Sequence, residues 1–264
     1  MNIDLLKSQI HTTWTGQEIY FYEEIDSTNL EAKRLAAKGA VSGALVLAER
    51  QTQGRGRRGR AWESPEGSSI SMTLMMRPQI RPEHASMLTL VMGLSVVQAI
   101  ENIWHVKTGI KWPNDVVWNK KKLAGILTEM NVNVQGIQYL VIGVGINVNT
   151  PAFPEELQAK ATSVYLELGH KVSREELVAE IMKTFEQNFK IFAQTEDLSG
   201  LRESYEQALL NLHQPVRVLE PGNEYTGMAL GINDLGELLV QREDGRQEAV
   251  YAGEVSVRGL YSYV

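Results

Sequence analysis

The period of the apolar positions changes several times along the chain, and each change marks an element. Glu18–Ile25 (EIYFYEEI) is rich in aromatic and β-branched residues and predicts a strand. It leads into the polar turn Asp26–Asn29. Leu30–Lys38 (LEAKRLAAK) then predicts a helix, with Thr28 and Glu31 spaced as a capping box and Gly39 as its stop. Leu45–Glu49 and Ser69–Met76 (SISMTLMM) predict further strands, and Pro82 to about Val106 a long helix. Gly109–Trp112, Val116–Trp118, Leu123–Met130 and Tyr139–Val148 are short, partly alternating and joined by tight turns, Asn119–Lys121 among them. That succession predicts an antiparallel meander. Ser173–Phe192 predicts a helix capped by Ser173 and Glu176, and Leu198–Leu212 a second one.

From Gln214 onward, short strands alternate with turns at Pro221-Gly222, Asn233-Asp234, Asp244-Gly245 and Ala252-Gly253, which predicts a small all-β barrel. Two domains are therefore expected. Residues 1–212 form an α+β domain with helices packed on a mixed β-sheet, and residues 213–264 form the barrel.

Composition narrows the functions. With 26 Lys+Arg against 32 Asp+Glu, the formal net charge of −6 argues against non-specific nucleic-acid binding, which needs positive charge summed over a face. The absence of cysteine removes disulfides, thiolate nucleophiles and cysteine-ligated metals, and fits a reducing cytoplasm. The start, MNIDLLKSQIHTTW, lacks the basic flank and apolar core of a signal peptide. Met87–Ile103 is apolar, but Thr89, Ser95, Gln98 and Glu101 interrupt it, so it reads as a buried helix and no membrane association is expected. The histidines are scattered without ligand spacing, and no metal site is expected among them.

Phosphate-loop and Gly-x-Ser-x-Gly motifs are missing, and Gly143-Val-Gly-Ile-Asn147 lacks the third glycine of a dinucleotide fingerprint. Three other stretches carry chemistry. Gly54–Arg60 packs four arginines and three glycines into seven residues between two strands. Glycines let the backbone approach a ligand, and arginines offer planar forks to carboxylate and phosphate oxygens. A solvated basic loop fits the same spacing. In Lys111-Trp-Pro-Asn-Asp115, the proline sets an extended lead-in to Asn114 and Asp115, which also fit ordinary turn chemistry. In Lys120–Ile126, Lys122 is the last lysine before an apolar strand, and Ala124 and Gly125 leave room beside it.

Taken in order, DSTN at Asp26–Asn29, GRGRRGRAW at Gly54–Trp62, KWPND at Lys111–Asp115, KLAGIL at Lys122–Leu127 and GVGINVN at Gly143–Asn149 resemble the biotin protein ligase family. GEVSVR at Gly253–Arg258 resembles the end of that family's SH3-like module. The resemblance implies a class II aminoacyl-tRNA-synthetase-like catalytic domain, followed by the SH3-like β-barrel. It implies biotin and ATP, with Mg²⁺, as substrates: the biotin carboxylate attacks the α-phosphate, and a lysine of a biotin carboxyl carrier domain then takes the biotinyl group. The acceptor would be the carrier of acetyl-CoA carboxylase or of another biotin-dependent carboxylase.

By the same resemblance, Ser27, Thr28, Asn29 and Gln51 hold the biotin ring, and Arg55, Gly56 and Arg57 fold over biotin and its adenylate. Arg57 and Lys122 stabilise charge on carboxylate and phosphate. Arg60, Trp62, Lys111, Asn114 and Asn147 approach the nucleotide, and Asp115 acts either on the incoming lysine or on Mg²⁺. Some family members carry an N-terminal DNA-binding domain. Barely 20 residues precede the matching region here, so a ligase without DNA binding is expected. Family members can pair as homodimers through sheet edges, a state the sequence leaves open. A lipoate ligase shares the broad fold, but the Arg/Gly stretch, KWPND and the β module favour biotin. An RNA- or DNA-binding reading of the Arg/Gly stretch is disfavoured by the net charge and by the lack of interleaved aromatics beyond Trp62.

Overall fold

The computed structural model describes residues 1–62, 67–219, 224–252 and 256–259. The first domain opens with α1 (Ile3–Gln9), followed by β1 (Ile19–Ile25), α2 (Thr28–Ala37), β2 (Leu45–Gln51) and β3 (Ser69–Met76). Next come α3 (Met87–Trp104) and the meander β4 (Gly109–Lys111), β5 (Asp115–Trp118), β6 (Lys121–Asn133) and β7 (Gly136–Asn147). Helices α4 (Glu155–Gln158), α5 (Val164–Leu168), α6 (Arg174–Thr195) and α7 (Arg202–Ala208) complete it. The strands form one seven-stranded sheet in the order β1-β2-β3-β7-β6-β5-β4, parallel only between β1 and β2. The expected mixed sheet and meander are both present.

Both faces of this sheet are used, but unequally. Apolar side chains of β2 to β7 pack with α3 and α6 in one continuous core. That packing explains the apolar run of α3, which is buried along most of its length. On the other face α2 lays Ala32 and Ala36 against Val46, Met75 and Val141, with Tyr20 and Tyr22 at the edge. Helix α2 packs mainly on β2, β3 and β7 on this face, and reaches β6 through Asn29 and Lys33. Its N-terminal end therefore stops over the middle of the sheet, where a site can form.

Three elements differ from the sequence reading. The capping box over Thr28 and Glu31 is not made: Ser27 is the N-cap, and Thr28, already in the helix, bonds Gln51. Glu31 instead accepts from Tyr22 and Arg34. The helix expected from Pro82 is a 3-10 turn at Pro82–His84 followed by α3, which ends where His105 turns left-handed at φ 55°. The helix expected over Leu198–Leu212 spans only α7, because the chain after it pairs with the sheet edge: Leu210 N donates to Ile110 O at 2.9 Å. A backbone that completes a ladder cannot continue a helix. At α6 the expected cap holds in part, with Ser173 Oγ accepting Glu176 N at 3.1 Å.

The second domain is β8 (Pro215–Leu219), β9 (Tyr225–Ile232), β10 (Leu238–Gln241), β11 (Gln247–Val250) and β12 (Ser256–Gly259), one antiparallel sheet in the order β11-β10-β9-β8-β12. Among the described residues no pairing joins β11 to β12 to close the expected barrel. The Pro221-Gly222 turn and Gly253–Val255 of the GEVSVR motif lie outside the described residues. This module is fastened to the first domain by buried Trp112, whose Nε1 donates to Gly236 O at 3.0 Å, and by Leu198 N, which donates to Asp234 O at 2.7 Å.

A buried charge pair ties α6 to the sheet. Arg174 donates to both oxygens of Glu49, at 2.8 and 2.9 Å, and to Ser69 O. The Met1 ammonium also pairs with Glu49. Burial would raise the Glu49 carboxyl, but Arg174 and that ammonium outweigh it and hold the group at about 2. A depressed carboxylate stabilises the fold above its unfolded value and loses that contribution as pH falls toward the folded one. Glu49→Gln should therefore cost about 3 kcal/mol at neutral pH, the scale of a broken buried pair. Denaturant titrations should show the parent losing this increment from the ordinary 4.5 down toward about 2. The variant should lack that slope, and equal slopes would contradict the assignment.

Candidate active site

The floor of the site is a stretch of sheet without side chains. Gly125 on β6 lies opposite Gly145 on β7, and Leu127 opposite Gly143. Strand alternation puts Gly143 and Gly145 on one face, the face α2 leaves uncovered. Each glycine lets another group come close. A Cβ on Gly145 would lie 2.3 Å from the Trp62 ring, one on Gly125 3.3 Å from it, and one on Gly143 2.1 Å from Asn29 Oδ1. GVGINVN is thus a surface for close approach.

The N-terminal end of α2 supplies a polar wall. Ser27, Thr28 and Asn29 are each almost fully buried. Thr28 N and Oγ1 both donate to Gln51 Oε1, at 2.9 and 3.1 Å. Thr73, on β3 under the helix end, contacts Thr28 Oγ1 at 2.8 Å and Asn29 Oδ1 at 2.7 Å. Asn29 Nδ2 reaches Glu129 and Leu127 O on β6. DSTN is therefore fixed from three strands.

The arginine stretch folds back on itself. Gly56 N donates to Arg60 O at 2.7 Å and Trp62 N to Gly54 O at 3.0 Å, while Arg58 and Gly59 turn the chain at φ 57° and 72°. Gly54 is required here, since a Cβ would stand 2.2 Å from Trp62 O. The four arginines divide as charge demands. Arg55, Arg58 and Arg60 are exposed, and Arg57 turns inward. Arg57 Nη1 donates to Asn114 Oδ1 at 2.9 Å and Nη2 to Ala252 O of the second domain at 2.6 Å. Burial pushes its guanidinium below the ordinary range; Asp115 opposes that shift, and Arg58 and Arg60 add to it.

Asn114 closes the opposite rim, its Nδ2 donating to Ile126 O at 3.2 Å. Lys122 lies 2.7 Å from Asp115, and its Nζ stands 5.5 Å over the Trp62 ring. Around these groups is a cavity of about 50 Å³ lined by Ser27, Thr28, Asn29, Gln51, Arg55, Gly56, Arg57, Trp62, Asn114 and Lys122. Ordinary ligand pockets hold roughly 300–1,000 Å³, so this cavity is small beside them. A groove of about 560 Å³ adjoins it, sharing Arg57, Ile126 and Leu127 and reaching Tyr251 and Ala252.

Of the residues expected at the site, Arg60, Lys111, Asp115 and Asn147 do not line this cavity. Asp115 sits just behind Lys122. Lys111 is buried opposite Asp115 in the β4–β5 ladder. Asn147 is buried, and its Nδ2 donates to Thr162 O at 3.1 Å. Thr162 N in turn donates to Lys122 O at 2.9 Å, so Asn147 holds the backbone that carries Lys122. Sequence reasoning missed Thr73, Glu129 and Ala252, which lie in unremarkable strand or turn contexts. Gly125, read as leaving room beside Lys122, and the glycine alternation in GVGIN were the legible signals of the floor.

Known proteins match the chain along most of its length. Residues 21–147 match the biotin/lipoate A/B protein ligase family, and residues 212–258 match the biotin protein ligase C terminal domain. The chain is 35% identical to the bifunctional ligase/repressor BirA of Bacillus subtilis over 94% of this chain and 76% of that protein. It is also 35% identical to the biotin--[acetyl-CoA-carboxylase] ligase of Mycobacterium tuberculosis, over 95% of this chain and 93% of that one. Its fold superposes with a TM-score of 0.80 and 32% identity on a biotin protein ligase from Aquifex aeolicus in complex with biotin and ATP, covering 92% and 99% of the two chains.

If the bare floor exists to seat Trp62, a methyl group at Gly145 must displace the ring. Gly145→Ala should cost about 1–3 kcal/mol, the scale of an overpacked contact. The cost should shrink in a Trp62→Ala background, measured as a double-mutant cycle in urea. Additive costs would show that the ring does not rest there.

Proposed function

The chain belongs to the biotin protein ligase family, and we propose on that premise that it activates biotin as biotinyl-5′-AMP and transfers the biotinyl group to a lysine of a carrier domain. One observation carries the residue-level reading: two cations, Arg57 and Lys122, converge on one cavity whose far wall is the hydrogen-bonding set Thr28, Asn29 and Gln51. A neutral polar ring with an anionic tail fits that polarity.

In the first step a biotin carboxylate oxygen attacks the α-phosphorus of Mg·ATP, and the bond to the bridging oxygen breaks to release pyrophosphate. Arg57 and Lys122 lie where negative charge gathers on the phosphoryl oxygens, and a site that admits little water makes each worth more. Trp62, packed against the glycine floor, offers a stacking surface for the base. Asn114 fixes Arg57, and Asn147 acts through Thr162 on Lys122. In the second step the lysine amine attacks the acyl carbon, the C–O bond breaks, and AMP leaves with the electron pair.

Among the described residues no group of three metal-ligating side chains occurs. Mg²⁺ would then arrive on the phosphates, as a cation that keeps its waters commonly does. Asp115, held by Lys122, suits either one position on that ion or orientation of the incoming amine. The adjoining groove of about 560 Å³, lined by residues of both domains, is where the incoming lysine would enter. The carrier domain of acetyl-CoA carboxylase is the acceptor this reading favours, since the Mycobacterium tuberculosis relative is named for that substrate.

Mixing the protein with biotin, Mg·ATP and a carrier domain, then probing with streptavidin, should show biotin-dependent labelling of the carrier; none would refute the reading. Arg57→Gly should lower labelling per adenylate formed and release free biotinyl-AMP, measured by chromatography of the filtrate. Full retention of the adenylate would remove Arg57 from that role.

A further inference from the structure

One charged pair outside the recognised motifs stands beside the polar wall, its Glu129 lining the adjoining groove. Lys33 lies one turn after Asn29 on α2, and Glu129 lies on β6. Lys33 Nζ donates to Glu129 Oε1 at 2.6 Å, and Asn29 Nδ2 donates to Glu129 Oε2 at 2.8 Å. Burial pushes the Glu129 carboxyl up, but Lys33, Asn29 and the nearby Arg55 charge bring it below its ordinary range. It is therefore an anion at neutral pH.

We propose that Lys33 and Glu129 are positioning residues, locking the Asn29 amide in one orientation and so making Thr28 an acceptor for N–H groups of the bound ring. The proposal rests on the functional reading above. Its basis is proton accounting. Asn29 Nδ2 faces Glu129 Oε2 and Leu127 O, which only accept. Asn29 Oδ1 therefore faces Thr73, 2.7 Å away, and Thr73 must donate to it. A hydroxyl has one proton, so none remains for Thr28 Oγ1, 2.8 Å from the same oxygen. Thr28 then donates to Thr73 or to Gln51 Oε1, at 3.1 Å, and keeps its lone pairs for a ligand.

Reversing the Asn29 amide would undo this. Its nitrogen would face Thr73, the Thr73 proton would pass to Thr28, and a Thr28 lone pair would be consumed. The Glu129 charge forbids that state by setting a carboxylate against an amide oxygen, and Lys33 keeps the carboxylate in place. Asn29 already sits in a crowded seat, hard against Gly143.

Glu129→Gln has the same shape without the charge, and its own amide can face Asn29 either way. In steady-state assays it should raise the KM for biotin roughly tenfold, the effect of one charge-assisted hydrogen bond. Its kcat at saturating biotin should hold within about twofold, the pattern of lost ground-state binding. Lys33→Met should raise KM in the same direction by less, and Lys33→Arg should stay near the parent. The side chain of Lys33 is 28% exposed, so its variants carry the test should Glu129→Gln unfold in melting controls. An unchanged KM in these variants, or a fall in kcat at unchanged KM, would overturn the positioning role. A parent enzyme that binds no biotin by calorimetry would overturn the functional reading and this proposal with it.

Discussion

Everything in the site is arranged around a place where two strands carry no side chains. With Gly125 facing Gly145, and Gly143 beside them, the β6–β7 ladder presents bare backbone to the face that α2 leaves uncovered. Asn29 and Trp62 can then lie within contact distance of the sheet, closer than any Cβ would permit. Glycine in a strand interior costs stability through backbone entropy and lost packing. Here that cost falls in the best-supported part of the sheet, with β3 on one side and β5 on the other and α3 beneath.

On this floor the polar groups form two connected sets of opposite character. The wall from Gln51 through Thr28, Thr73 and Asn29 to Glu129 is a chain of hydrogen bonds whose direction is set at its charged end. The opposite rim is cationic, with Arg57 and Lys122 each held by a partner, Asn114 and Asp115. Arg57 also bonds Ala252 O, so closure of the arginine hairpin and docking of the second domain share one side chain. A planar guanidinium can serve both because its donors point in fixed and different directions.

Much of this was legible beforehand. The strands β1 to β7 were readable from runs of apolar, aromatic and β-branched residues and, from β4 to β7, from the tight turns between them. At the hairpin turn both Asn119 and Lys120 take positive φ, which asparagine tolerates readily. Errors occurred where long-range pairing competed with a local preference. Thr28 forgoes a capping bond because Gln51 lies across from it, and the segment after Ala208 leaves its helix to complete the edge of β4. Neither partner is near in sequence.

The sequence by itself determined most of the strands and long helices, the change of character after Leu212 and the five ordered motifs, since these depend on local periodicity and on residue chemistry that the chain states directly. Only the tertiary structure decided which arginine turns inward, that Trp62 lies against the glycine strands, that Asn147 bonds Thr162 O and does not line the cavity, and that Thr73 and Glu129 bond the Thr28–Asn29 wall. Those outcomes depend on distances between groups up to 195 residues apart in sequence, as Arg57 and Ala252 are. Such distances are set by strand register and helix placement, which periodicity does not encode.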